Sequence, residues 1–173
     1  ISVDVQGYMV ERLSGMSFGE FLQQRLFDPL GMVDTGFYVK PENAHRLSRQ
    51  YAPNSDGTLR RTDNRGGIAG GYDFLSAPVF ESGGGGLTST AADYLQFVHM
   101  HLNKGMHNGQ RLLSEEAIDE MRSNQLPDAV KGIGAVYPGN VFGLDFAVVE
   151  NSAAYQGASV GTHWWWGIAG SWF

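Results

Sequence analysis

Apolar residues at Val5, Tyr8, Met9 and Leu13 recur at the spacing of one helix face, and Gly15 stands where a chain leaving that helix needs a left-handed residue. The pattern predicts a first helix ending at Gly15. Ser17 and Glu20 then form S-x-x-E, in which the serine oxygen accepts from an early helix amide and the glutamate reaches back to the cap. Met16 and Phe21 flank this cap as a hydrophobic staple. A second helix follows, with Phe18, Phe21, Leu22 and Leu26 on its apolar face. Asp28-Pro29 predicts its end, because proline has no amide hydrogen to donate, and Gly31 turns the chain.

Beyond residue 37 the pattern alternates between turns and periodic runs. Tyr51 to Leu59 reads as a hairpin around Asp56-Gly57, where positive φ is cheap. Ser89 or Thr90 caps a helix through about Lys104, with Ala91, Leu95, Val98 and Leu102 on one face and Gly105 past its end. A shorter helix follows Ser114, with Glu115 and Glu116 in the turn where acids favour the dipole, and Leu126-Pro127 ends it. Phe142, Leu144, Phe146 and Val148 alternate with Gly143, Asp145 and Ala147, the period of a half-buried strand. The last fifteen residues read as strand, glycine turn and strand. The shift from period 3.6 to period 2 predicts an α/β fold of the α+β type. Its helices, from 1–37 and 89–122, group together beside antiparallel strands near 142–149 and 159–173.

Composition narrows the function. The chain has 173 residues and 42% hydrophobic content, enough for one substantial core. Its net charge is −6 and its 12 basic residues are scattered, which argues against nucleic acid as a partner. With no cysteine, disulfides and thiolate chemistry are excluded, and the compartment is left open. No apolar run approaches the roughly 20 residues a spanning helix needs. The 24 glycines gather at 66–71, 83–86, 132–143 and 156–170, between the periodic runs.

Three short patterns invite chemistry and are read as structure. Gly15-Met16-Ser17-Phe18-Gly19 matches G-x-S-x-G, but that nucleophile elbow needs a strand before its serine, and here a helix precedes it. Ser17 is therefore read as a cap. The Gly83–Gly86 run before a helix lacks the Lys-Ser/Thr ending of a phosphate loop and is read as a turn letting backbone approach an active-site wall. His99, His101 and His107 carry no H-E-x-x-H spacing and are read as solvated residues of an exposed face.

The series of helix, glycine, capped helix, D-P-L-G-M and D-T-G-F, the block GGGGLTSTAADYLQFVHMHLNKG at 83–105, and SVGTHWWWGIAGSWF at 159–173 resemble the serine beta-lactamase, penicillin-binding protein and class C-like esterase superfamily. The resemblance spans nearly the whole chain, with 38–82 matching loosely. It implies a beta-lactamase/transpeptidase-like domain and a serine hydrolase working through a covalent acyl-enzyme, without cofactor or metal. Its substrate would be a small ester, amide or peptide-like molecule. The family's nucleophile lies in S-x-x-K and its tyrosine in Y-x-N or Y-S-x, and no serine or tyrosine here begins such a pattern. The resemblance thus makes residues 1–173 a partial domain, with the tyrosine about two residues before Ile1 and the S-x-x-K serine further upstream. The chain alone is then expected to be inactive. A D-amino-acid peptidase or penicillin-binding carboxypeptidase, and a non-catalytic ligand-binding member of the fold, are the alternatives.

The tryptophans carry the remaining expectation. Three consecutive indoles on a strand, Trp164, Trp165 and Trp166, cannot all face one core, since side chains alternate. In the family a K-T-G, H-x-G or W-G-G triplet edges the active site, and the amide after it forms half of the oxyanion hole. Matching the flanks SVGT and AGSWF puts that triplet at Trp165-Trp166-Gly167 and the oxyanion amide at Ile168. Trp165 in place of lysine resembles the esterase branch and removes a cation that in beta-lactamases helps hold a substrate carboxylate. Trp166 departs from both Thr and Gly, and so narrows the cleft or shifts the register. His163, beside the tryptophans, is either a substrate contact or an edge residue.

Overall fold

Helix α1 runs Ser2–Ser14, and Gly15 leaves it at φ 73 with its amide donating to the Glu11 carbonyl at 2.9 Å. The computed structural model describes residues 2–62, 73–155, 157–167 and 172–173. Its chain divides into two compact units, Ile1–Met100 and His101–Phe173.

In the first unit α1 packs through Gly7, not through its larger side chains. A Cβ on Gly7 would stand 3.2 Å from the Phe18 ring, so the missing side chain is what admits that ring. Val5, Tyr8, Met9 and Leu13, read from sequence as one apolar stripe, stay more than half exposed, and Leu13 reaches 85%. The second helix opens as expected. Ser17 Oγ accepts from the Glu20 amide at 3.2 Å and Glu20 Oε2 accepts from the Ser17 amide at 3.0 Å, the reciprocal capping box, and α2 spans Phe18–Leu22.

The helical path does not stop at Asp28-Pro29. A π turn, Gln23–Phe27, connects α2 to one further turn, α3 (Asp28–Leu30), and the Asp28 amide reaches back to the Gln23 carbonyl. The wider turn re-starts the helix, so Pro29 falls in a first turn, where no amide donor is required. The stop comes at Gly31, φ 69.

D-T-G-F has a structural role. The Asp34 amide donates to Asp93 Oδ2 at 2.7 Å and the Thr35 hydroxyl to the same oxygen at 2.8 Å, while Gly36 and Thr88 exchange backbone hydrogen bonds. Strands β1 (Tyr51–Pro53) and β2 (Leu59–Arg61) pair antiparallel around Gly57, φ 82, as expected for Asp56-Gly57. Helix α4, Ala91–Leu102, is capped by Thr90, whose hydroxyl accepts from the Asp93 amide at 3.2 Å. Its inward positions are Asp93, Met100 and His101, whereas Leu95 and Leu102 of the expected face are about half exposed or more. The two-unit division falls within α4, after Met100.

In the second unit β3 (Met106–His107) and β4 (Gln110–Arg111) form a hairpin through Asn108-Gly109, both at positive φ as a type I′ turn demands. Helix α5, Glu115–Met121, is capped by Ser114 Oγ, which accepts from the Ala117 amide at 3.1 Å. It ends at Arg122, before the expected Leu126-Pro127 stop. The segment read as one strand over 142–148 is a hairpin: β5 (Asn140–Phe142) pairs with β6 (Ala147–Val149), Phe142 opposite Ala147. Asp145 at φ 64 turns it, and Gly143 lies so close to the Met121 carbonyl that no Cβ fits there. β7 (His163–Trp164) adds antiparallel to β6, giving the order β5-β6-β7 with β6 buried throughout. Every named strand pair among the described residues is antiparallel, and the fold class is α/β of the α+β type.

Candidate functional site

The three tryptophans separate into different environments: of the strand expected near 159–173 only His163–Trp164 joins the described sheet, Trp165 lies outside the named strands and Trp166 forms an isolated bridge. Trp164 is core. Its ring stacks on Tyr155 with centroids 5.7 Å apart and meets Tyr137 edge-on at 5.1 Å, and its indole nitrogen donates to Asn140 Oδ1 at 2.9 Å. Trp165 is half-buried and lies across the edge of Phe142, centroids 5.2 Å apart and planes 80° apart. Trp166, stacked near Trp165 at 6.3 Å, is 46% exposed, and its backbone forms an isolated antiparallel bridge with Trp172. The Phe173 amide donates to the Trp165 carbonyl at 3.2 Å. Trp165 and Trp166 therefore offer solvent a contiguous indole surface, with Phe142 behind it, while Trp164 anchors the end of β7 just before them.

Gly167 follows, half-buried. Ile168, expected to supply the oxyanion amide, lies outside the described residues, as do the glycines at 66–71.

His163 does not stand alone at the strand. Its ring lies 5.9 Å from that of His101 and 5.5 Å from Phe146, which also meets His101 edge-on at 5.5 Å and Phe173 at 5.8 Å. The expectation of solvated histidines fails for His101, which is 2% exposed, and holds for His99, which points outward. Burial first, then the neighbouring His163 and the Arg122 charge, push the His101 pKa down to about 4. His163 is lowered for the same leading reason, burial. Helical spacing carried a signal that the sequence reading passed over: Asp93, Phe97, Met100 and His101 fall at i, i+4, i+7 and i+8, an inward stripe on α4.

The described residues contain no group of three or more His, Cys, Asp or Glu side chains placed to hold a metal ion. Nor is any helix among them long and apolar enough to cross a membrane. What the strand offers chemically is an apolar, aromatic wall.

A family profile described as Beta-lactamase matches residues 1–173. Protein Rv1367c of Mycobacterium tuberculosis is 34% identical over 180 residues, covering 99% of this chain and 43% of that protein. The chain belongs to the beta-lactamase family. Esterase EstB of Burkholderia gladioli is 31% identical over 192 residues, covering all of this chain and 45% of the esterase. Among solved structures, EstCE1, a hydrolase with promiscuous acyltransferase activity, superposes with a TM-score of 0.73 at 23% identity, over 94% of this chain and 43% of that one. That likeness shows the fold, beta-lactamase/transpeptidase-like. The chain thus spans less than half the length of these relatives, which include an esterase and a hydrolase with acyltransferase activity.

Proposed function

We propose that residues 1–173 belong to a serine acyl hydrolase of the esterase branch, acting through a covalent acyl-enzyme on a small ester. What supports this reading is Trp165: its indole is half-buried against Phe142, and matching the flanks SVGT and AGSWF to the family's triplet assigns it to the place where the family's beta-lactamases carry a lysine. An apolar wall favours an uncharged acyl or alcohol group over a substrate carboxylate. The esterase EstB, alignable over the whole chain, supports the same branch.

In this reading the S-x-x-K serine lies in the part of the protein preceding this sequence. Its oxygen bonds to the ester carbonyl carbon, its proton passes through the lysine and tyrosine to the leaving alcohol, and water then releases the acid. The Ile168 amide holds the oxyanion, Trp165 and Trp166 line the pocket, Gly167 leaves room for the acyl group, and His163 borders it. No cofactor is needed.

The test uses the full-length protein. Ile168→Pro removes that one amide hydrogen, and kcat for a p-nitrophenyl ester should fall about 100- to 1000-fold with KM little changed. An unchanged kcat in a folded variant overturns the oxyanion assignment. A full-length protein that neither hydrolyses such esters nor takes up a fluorophosphonate overturns the hydrolase reading. Residues 1–173 alone should show no turnover, and ester hydrolysis by the purified chain would contradict the placement of the nucleophile upstream.

A further inference from the structure

The two residues of β7 are held by different chemistry. His163 and Trp164 are consecutive, so their side chains leave the strand on opposite faces. Trp164 goes to Asn140, through a hydrogen bond between two neutral groups. His163 goes to His101 and Phe146, with ring centroids 5.9 and 5.5 Å away. That setting is apolar, since His101 is 2% and Phe146 7% exposed. Among the described residues, the charges that bear on the two imidazoles are that of His163 on His101 and that of Arg122, at the C-cap of α5, on both. None of these is a carboxylate. Asp119 accepts from Arg122 Nη2 at 2.9 Å, and Glu115 accepts from Lys104, just past α4, at 3.0 Å. A proton on either histidine therefore sits beside a second imidazole and a guanidinium, largely out of water and without a counter-ion of its own.

The same cluster seats the residues beyond the strand. Phe146 meets the ring of Phe173 edge-on at 5.8 Å, and the Phe173 amide donates to the Trp165 carbonyl at 3.2 Å. Trp172, one residue before, bridges to Trp166. The two histidines, Phe146, Phe173 and the Trp165 backbone thus form one run of contacts. We propose that His101 and His163 are an acid-sensitive latch on the Trp165–Trp166 indole surface: two neutral rings hold Phe146 and Phe173 in place, and protonation parts them and frees that surface. Nothing in this latch depends on the acyl-hydrolase reading, and its test needs no turnover.

The direction follows from where the proton is better held. A histidine ring released into water titrates near 6.5, whereas His101 in the closed cluster takes its proton only at about 4. At pH 5 the released ring is nearly all protonated and the closed one about one-tenth, so the balance moves toward release by about 30-fold from its value at neutral pH. His163, also lowered by burial, adds in the same direction. Acid opens the latch and neutral pH closes it. Because the bond between Trp164 and Asn140 carries no charge, it holds the other face of β7 throughout, and the change stays local.

All four tryptophans of these 173 residues, Trp164, Trp165, Trp166 and Trp172, lie in or next to the latched segment, so their indoles can report on it. The experiment is fluorine NMR of the full-length protein labelled with fluorotryptophan, titrated from pH 7.5 to pH 4.5. Resonances are assigned by their loss in Trp164→Phe, Trp165→Phe and Trp166→Phe variants. The Trp165 and Trp166 signals should move reversibly toward the position of the free amino acid, with a midpoint between about 4 and 6.5, while the Trp164 signal stays. His101→Leu keeps an apolar side chain in the cluster and removes its proton site, so the released fraction at pH 5 should fall by about 30-fold. Trp165 and Trp166 signals that do not respond to pH overturn the proposal. So does a movement of the same size in folded His101→Leu, which assigns it to another group, or a Trp164 signal that moves together with the other two, which marks general unfolding. Should His101→Leu fail to fold, His163→Phe removes the other imidazole and is read in the same way.

Discussion

The Trp164 indole nitrogen donates to Asn140 Oδ1 at 2.9 Å, and the two residues retain only 8% and 1% of their exposure. A buried donor and a buried acceptor satisfy one another across 24 positions of sequence, between β7 and β5. This bond fixes which face of β7 is core and therefore which tryptophans remain outside.

Removing the acceptor should be costly for that reason. Asn140→Ala strands the indole N–H in the interior, and denaturant midpoints should report a loss of about 1–3 kcal/mol. Trp164→Phe in that background removes the orphaned donor, so the double variant should lose less than the sum of the two single ones. Additive losses, or an Asn140→Ala effect below about 0.5 kcal/mol, would contradict the role given to the bond.

His101 predicts a dependence of stability on pH. In the folded chain its pKa lies at about 4, against 6.5 for the free side chain. Below pH 6.5 the unfolded chain takes up a proton that the native chain refuses until about pH 4. The contribution is thus whole above pH 6.5 and falls away as pH drops toward 4, by up to roughly 3 kcal/mol. His163, lowered in the same direction, adds to the trend. Urea unfolding at pH 7.5 and pH 5 should show His101→Leu losing less stability between the two than the parent protein. Equal losses in both proteins would refute the assignment, and because the carboxylates are common to both, they cancel in the comparison.

Legibility in sequence followed the reach of the interactions. Gly15, the Ser17–Glu20 box, Gly31 and the Asp56-Gly57 turn were all readable, because each depends on hydrogen bonds within a few residues and the structure reproduces each of them. Pro29 misled because a π turn, which no local residue announces, shifts the helix frame so that proline lands in a tolerated position. The alternation from Phe142 to Val148 misled because Asp145 adopts a left-handed turn and splits the run into a hairpin. The stripe on α4 was drawn through Leu95 and Leu102, when the partners of Asp93 and His101 come from segments distant in sequence. For the candidate site, sequence placed the three tryptophans on one strand of mixed faces; the indoles do separate, but β7 ends at Trp164, Trp165 lies outside the named strands and Trp166 forms only an isolated bridge. Sequence could not say which indole was core, since that depends on Asn140 and Tyr155 reaching it from elsewhere.

That division yields the sharpest contrast between neighbouring residues. Trp164 is enclosed by Tyr137, Tyr155 and Asn140, so Trp164→Ala opens a large cavity and should cost about 3–5 kcal/mol of stability. Trp165 has one ring face against Phe142 and remains partly open, so Trp165→Ala removes apolar contact without emptying the core. In the full-length protein Trp165→Ala should leave the unfolding midpoint within about 1 kcal/mol of the parent, since exposed apolar surface contributes little to folding. Its effect should fall on substrate binding. An indole wall touches the acyl or alcohol group equally in the ground state and the transition state, so its loss raises KM, by about tenfold, with kcat within about two-fold. The measurement is a pair of saturation curves on a short-chain and a bulky p-nitrophenyl ester, read beside thermal unfolding of both variants. A Trp165→Ala protein that unfolds as readily as Trp164→Ala would place Trp165 in the core. One that keeps its stability and its KM on both esters would remove Trp165 from the substrate pocket.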